Sequence, residues 1–292
     1  MKIGVIGLGN MGVPMARNLV LAGYEVRGFD IVSPCPEDIK AAKSAVELST
    51  LSDVVITMLP SGRIVKEVAD EILPNMAKGS ILLDCSTIDV ESTRLVAEAA
   101  INQGVLMADA PVSGGVSGAV AGTLTFMVGG STEAFSTLKP LFDIMGQKAV
   151  HCGDSGNGQA AKICNNMILG ATMIVTCEAF SLADKLGLDR EKMYDVVSTS
   201  SGYSWSMNAY CPAPNIGPTS PADNDYKPGF SADLMLKDLR LSQQAAESVD
   251  ADTPLGMHAT SLYQTFVETE DGQGKDFSAM LPRFSKKNRT DT

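Results

Sequence analysis

Apolar residues in the first half of the chain fall into short β-branched runs, separated by stretches where they recur every three or four positions. The runs at 2–8, 24–30, 53–59, 80–86, 105–111 and 124–130 predict strands. The spacing at 10–22, 63–76, 90–103 and 131–145 predicts helices between them. Such alternation builds βαβ units, so a mainly parallel, helix-covered sheet is expected. Segment 31–52 is expected to be helical only in part, because Pro34 and Pro36 break its start.

The texture changes after Cys152. The stretch 152–158, CGDSGNG, reads as a turn-rich hinge, and behind it an Ala-, Met-, Ile- and Leu-rich pattern runs to about Gly187. That is roughly 28 residues, well beyond the mean helix of about 11–12. Helical patterns resume at 231–249 and 257–268, after a segment, 210–230, whose five prolines exclude regular structure. The reading is α/β: a Rossmann-type first domain over 1–158, then an all-helical second domain over 159–292, joined by the long helix. A helix apolar on most faces needs partners, so a homo-oligomer is expected, dimer or tetramer. The tail 283–292 is expected to fray.

Composition narrows the function classes. The 23 basic and 34 acidic residues, net −11, argue against nucleic acid or an anionic membrane as a partner. Six cysteines without a C-x-x-C pair and only two histidines, His151 and His258, argue against a Cys/His zinc site. They fit a reduced cytoplasmic compartment. The N-terminus lacks a long apolar region with a cleavage site, and the apolar run 167–177 is too short to span a bilayer.

The sequence GLGNMG places Gly7, Gly9 and Gly12 in G-x-G-x-x-G spacing between a predicted strand and a predicted helix, the context of a dinucleotide site. Gly7 allows a tight turn, Gly9 close approach of the pyrophosphate, and Gly12 close helix–strand packing. Asp30 ends the second predicted strand, 23 positions after Gly7. A carboxylate there accepts the adenosine ribose hydroxyls and repels a 2′-phosphate. No arginine follows it directly, so NAD is favoured over NADP.

Two further segments carry candidate chemistry. In 109–124, DAPVSGGVSGAVAGTL, the residues Ser113, Gly114 and Gly115 offer a hydroxyl and consecutive N–H groups to a carboxylate; a plain surface loop is the competing reading. In GNGQAAKICNN, 156–166, Lys162 and Asn166 lie four apart and share a helix face, with Asn165 pointing elsewhere. A lysine shielded from water can act as a base near neutral pH, although most helical lysines are solvated surface charges. The stretch LMLKDLRL, 234–241, adds Lys237 and Asp238.

The segments GLGNMGVPMARNL, DAPVSGGVSGAVAGTLTFMVGG, GNGQAAKICNN and LMLKDLRLSQQAA resemble, in this order and spacing, the β-hydroxyacid dehydrogenase family, over residues 1 to about 282. The resemblance implies that Gly7, Leu8, Gly9, Asn10, Met11, Gly12 and Asp30 hold the adenosine and diphosphate of NAD. It implies that Leu59, Pro60 and Ile64 line the cofactor cleft and that Thr87 lies by the nicotinamide ribose. Ser113, Gly114 and Gly115 would bind the substrate carboxylate, Lys162 would be the catalytic lysine and Asn166 its substrate-binding partner. Lys237 matches a lysine that reaches toward nicotinamide and substrate. The aromatics Trp205 and Phe230 are candidates for the substrate methyl, or ordinary core residues. One departure from the family is the short stretch between Asp30 and Met58-Leu59-Pro60, where Pro34, Cys35 and Pro36 trim the helix beside the adenine pocket.

The implied activity is NAD-dependent oxidation of a small 3-hydroxy acid, with 3-hydroxyisobutyrate, from valine degradation, as the expected substrate. Related 3-hydroxy acids and semialdehydes stay open: serine, 3-hydroxypropionate, tartronate semialdehyde and succinate semialdehyde. Family reductases that use NADPH carry Asn-Arg where this chain has Asp30-Ile31. A 6-phosphogluconate dehydrogenase would need a much longer second domain. A non-catalytic NAD-binding scaffold is the rival from another class, and Lys162, Asn166 and Lys237 together argue against it.

Overall fold

The computed structural model describes residues 1–286. The chain divides into two compact units, Met1–Lys162 and a second from Ile163 onward.

In the first unit, strands β1 (Lys2–Ile6), β2 (Glu25–Phe29), β3 (Lys40–Ala41), β4 (Val54–Thr57), β5 (Ile81–Asp84), β6 (Leu106–Asp109), β7 (Val112–Ser113), β8 (Leu124–Gly130) and β9 (Gly146–Gly153) form one sheet. Its order is β3-β2-β1-β4-β5-β6-β8-β7, with β9 paired to β8. The pairs from β3 to β6 are parallel, as expected, while β8 runs antiparallel to β6 and β7. Helices α1 (Gly12–Leu21), α2 (Ala45–Thr50), α3 (Gly62–Ile72), α4 (Val90–Gln103), α5 (Gly115–Ala121) and α6 (Thr132–Met145) connect the strands.

The pleat explains why the strand sequences read as continuous apolar runs. Ile3, Val5, Ile56 and Leu83 pack with Met15, Leu19 and Phe142 in one buried cluster. Their strand neighbours Ile6, Val55 and Leu82 pack with Val65, Ile72 and Val96 in another. A strand buried on both faces loses the polar alternation that marks a half-exposed one. The chain reverses its direction of winding between β1 and β4, which leaves a crevice beyond their carboxyl ends.

Three predicted features need correction. Segment 109–124 is not a plain loop: it holds β7 and the short helix α5. The turn-rich hinge expected over 152–158 is shorter than that, because strand β9 (Gly146–Gly153) runs into its start and α7 begins at Asn157. In 210–230 the prolines leave one 3-10 turn, Pro221–Asn224, closed by a capping box between Ser220 and Asp223.

Helix α7 (Asn157–Leu186, 30 residues) begins in the first unit and continues into the second. By length and composition it could cross a membrane, unlike the shorter run 167–177; half of its apolar window is buried inside the protein, as in a core helix. The second unit adds α8 (Arg190–Val197), α9 (Trp205–Asn208), α10 (Ala232–Ser248), α11 (Pro254–Glu268) and α12 (Met280–Lys286). They enclose a core of Met173, Phe180, Met235, Leu239, Tyr263 and Phe277. The predicted frayed tail therefore starts as helix as far as Lys286, and its remainder lies outside the described residues.

Candidate active site

The glycine-rich loop leaves β1 at the crevice. A Cβ on Gly7, whose φ is +98°, would lie 2.2 Å from the Met58 carbonyl oxygen, and one on Gly12 would lie 1.9 Å from that of Gly7. Both glycines are therefore demanded by the fold itself. Gly9 is not: it is exposed, and a Cβ there would meet no atom within 4 Å. A glycine that the protein does not need leaves room for something else to approach the backbone.

Helix α1 begins beside it with no side-chain cap at Met11. Ser44, Ser61, Asp89 and Ser131 cap α2, α3, α4 and α6. An uncapped helix start presents its N–H groups and positive dipole end to an anion such as a diphosphate.

Asp30 faces this loop. Its Oδ2 accepts the Leu8 N–H at 2.7 Å, and its Oδ1 accepts those of Val32 (2.7 Å) and Ser33 (2.9 Å). Burial pushes the carboxyl up, but the three donations, from Ser33, Val32 and Leu8, outweigh it and hold the group below its ordinary range. The aspartate is anionic and aimed at the glycine loop, the arrangement that takes ribose hydroxyls. Exposed Ile31 and Val32 follow it. The short helix α2, only six residues, fits the trimming expected from Pro34 and Pro36.

The neighbouring strand ends are tied together by buried polar groups. Thr57, Asp84 and Asp109 stand in register at the ends of β4, β5 and β6. Thr57 donates its hydroxyl to Asp84 Oδ1 (2.8 Å), which also accepts the Ser86 N–H (3.1 Å). The Ser86 hydroxyl accepts the Leu59 N–H at 2.8 Å, so the Leu59-Pro60 corner is fixed to the segment carrying Thr87. Ile64 sits in the first turn of α3, its N–H capped by the Ser61 hydroxyl. Asp84 Oδ2 is buried and has no hydrogen-bond partner. Burial, reinforced by the charge of Asp109 and opposed by Ser86 and Thr57, raises this carboxyl to about 6.

Gln159 and Asp109 lie within the quoted motifs, which assign them no role, yet they hold this framework in place. Gln159 is fully buried; its amide donates to the Ser86 carbonyl (2.8 Å) and accepts the Ile88 N–H (3.1 Å), bracketing Thr87. The Asp109 carboxylate accepts the N–H groups of Gly156 (2.7 Å) and Gln159 (2.9 Å), which anchors the start of α7. Burial raises the Asp109 carboxyl against those donations.

Lys162 lies one turn further along α7 and is only 7% exposed. Its Nζ donates to the Val112 carbonyl at 2.7 Å, directly beside Ser113. The surface-charge reading is excluded by that burial. Ser113 ends β7; Gly114 and Gly115 have φ of +127° and +61°, and α5 starts there without a side-chain cap. The first unit thus holds the Lys162 ammonium at the carbonyl of the residue before Ser113 and the glycine turn. His151 is accounted for by packing: its Nε2 meets the Gly130 carbonyl at 2.7 Å and its ring stacks on Phe135. His258 is exposed.

In the second unit Asn166 is buried and donates to Asp238 Oδ2 at 2.5 Å. Asp238 Oδ1 faces the Lys237 ammonium at 3.3 Å. Asn165 is not set apart, since its amide donates to Asn166 Oδ1 at 2.9 Å. Asp238 therefore fixes both the asparagine and the lysine of the sequence motifs. Trp205 is half exposed and stacks on Tyr210; Phe230 is partly buried with its edge against Phe277.

A doubly wound sheet with this loop and acid defines a dinucleotide-binding protein, and comparison with known proteins gives its kind. Residues 2–153 match the family model described as the NAD-binding domain of 6-phosphogluconate dehydrogenase. Residues 156–284 match one described as the NAD-binding part of NADP-dependent 3-hydroxyisobutyrate dehydrogenase. A probable 3-hydroxyisobutyrate dehydrogenase of Mycobacterium bovis is 45% identical over 96% of either chain. An NAD-dependent L-serine dehydrogenase of Pseudomonas aeruginosa is 43% identical over 97% of either chain. A solved structure of Mycobacterium tuberculosis 3-hydroxyisobutyrate dehydrogenase with L-serine has a TM-score of 0.91 at 44% identity, covering 97% of this chain and 98% of that one. The chain belongs to the β-hydroxyacid dehydrogenase family and is an NAD-dependent hydroxyacid dehydrogenase.

Proposed function

We propose that the chain oxidises 3-hydroxyisobutyrate to methylmalonate semialdehyde, with Lys162 as the general base. The observation that carries this reading is the buried Lys162 ammonium held at Val112, next to Ser113. A lysine so shielded from water has a reason to be there other than solubility.

Gly7, Leu8, Gly9, Asn10, Met11, Gly12 and Asp30 hold the adenosine and diphosphate; Leu59, Pro60, Ile64 and Thr87 line the nicotinamide side. The bound NAD supplies the hydride acceptor. Ser113 and the Gly114-Gly115 backbone hold the substrate carboxylate, and Asn166 and Lys237 of the second unit take the family's substrate-binding roles. As the neutral amine, Lys162 takes the hydroxyl proton as the carbonyl forms, and the ammonium that results is held by the Val112 carbonyl. The assignment of 1–158 to cofactor and 159–292 to substrate and subunit contacts belongs to the same proposal. So does a cytoplasmic homo-oligomer, in keeping with six free cysteines.

L-serine is the second reading, favoured by the relatives named for it or solved with it. It shares the carboxylate and the 3-hydroxyl and differs at carbon 2. A panel of 3-hydroxy acids and semialdehydes with NAD and NADP, ranked by kcat/KM, decides between them. If 3-hydroxyisobutyrate is not among the best substrates, the named activity falls and the family stands. Lys162→Ala should lower turnover about 10²–10⁴-fold while NAD still binds; near-normal turnover would remove the lysine from the chemistry.

A further inference from the structure

Asp30, with no arginine just after it in the chain, favours NAD over NADP. The structure brings an arginine from a different element. A cleft of about 350 Å³ beside the glycine-rich loop is lined by Leu8, Gly9, Asn10, Arg17 and Ser33, among others. Arg17 projects from α1, and Ser33 is the residue whose N–H bonds Asp30 Oδ1. Arg17 therefore shares one wall of the adenosine side of the site, 13 positions before Asp30 in sequence.

This arginine is already engaged. Its Nε donates to Asp38 Oδ2 at 2.8 Å and its Nη2 to Asp38 Oδ1 at 3.2 Å, a two-pronged pair. Each partner strengthens the charge of the other: Asp38 raises the guanidinium and Arg17 lowers the carboxyl. The guanidinium fork matches a carboxylate or a phosphate equally well, since both offer two oxygens at the same spacing. Both side chains are about half exposed, at 49%. An ion pair in that much water is worth up to about 1 kcal/mol, and a 2′-phosphate that takes the fork must give this up and face the freed Asp38 carboxylate as well.

We propose that Asp38 is a second selector of NAD over NADP, acting by occupying the Arg17 fork that would otherwise take a ribose 2′-phosphate. Asp30 excludes the phosphate by charge at the ribose; Asp38 occupies the one cation that lines this cleft among the described residues. The pair explains how an arginine can line an NAD site without converting it to NADP. It rests on the placement of the adenosine at Gly7–Gly12 and Asp30.

The test compares kcat/KM for NAD and NADP in Asp38→Asn, Asp30→Asn, the double variant, and each of these combined with Arg17→Gln. Asp38→Asn should raise kcat/KM for NADP about two- to fivefold and leave the value for NAD unchanged. The gain should be larger in the Asp30→Asn background, should vanish when Arg17→Gln is added, and should shrink at high salt. An Asp38→Asn enzyme with an unchanged NADP/NAD ratio overturns the proposal, and so does a gain that survives Arg17→Gln. The adenosine placement is read separately by competition with adenosine 2′,5′-bisphosphate against ADP: if Asp30→Asn does not alter that ratio, the placement itself fails, whatever Asp38 does.

Discussion

Replacing Gln159 by Leu tests the framework beneath the site. The substitution keeps the volume roughly and removes both ends of the amide. It leaves the Ser86 carbonyl and the Ile88 N–H buried without their partner, bonds now of 2.8 and 3.1 Å. An unsatisfied buried group costs about 1–3 kcal/mol, so the two together cost about 2–6 kcal/mol. At about 2–4 °C per kcal/mol for a domain of this size, a loss near 3 kcal/mol lowers Tm by about 6–12 °C. Catalysis should suffer beyond stability, because Ser86 and Ile88 flank Thr87 and Gln159 stands three residues before Lys162. A displacement of about 1 Å between such groups can cost about 10²-fold in rate. Thermal unfolding with and without NAD, and steady-state kinetics well below Tm, read the two effects apart. Gln159→Glu keeps the acceptor for Ile88 but sets a buried carboxylate against the Ser86 carbonyl, so at neutral pH it should cost at least as much as Gln159→Leu. A Leu variant with Tm within about 1 °C and unchanged kcat would show that the bracket holds nothing.

Asp84→Asn should make the protein more stable above pH 6. The folded carboxyl titrates at about 6 against 3.8 as its ordinary value, so the native state holds its proton more tightly than the unfolded one. Stability is thus lost as pH rises from about 4 to about 6, by at most about 3 kcal/mol. Asn keeps the acceptor for Thr57 and Ser86 and should flatten that slope in urea unfolding measured from pH 4 to 8; an unchanged slope would place the titration elsewhere. Gly9→Ala and Gly12→Ala should separate cofactor from fold. Gly9→Ala should raise KM for NAD with Tm unchanged, whereas Gly12→Ala, with its Cβ 1.9 Å from the Gly7 oxygen, should lower Tm. Equal effects on Tm would contradict the division drawn between them.

What the sequence determined by itself was local or periodic. The apolar runs set β1, β2, β4, β5, β6 and β8 because period and burial are written into neighbouring positions. The glycine spacing and Asp30 were legible because a turn, a helix start and a strand end lie within 24 residues of one another. The long helix α7 was legible from its unbroken apolar pattern, and Lys162 and Asn166 from their spacing along it. The reversal of β8, the strand β9 and the helix within the glycine-rich stretch were not legible, because pairing and glycine tolerance there depend on partners the pattern does not name.

The tertiary structure alone decided how the polar groups are joined. Lys162 meets Val112 across 50 positions, Gln159 meets Ser86 across 73, and Asn166 meets Asp238 across 72. Arg17 finds Asp38 from a different element. Hydrophobic periodicity records which face of an element is buried, not which polar atom waits opposite it. A buried donor must find an acceptor wherever the fold brings one, and that choice is made only when distant segments pack.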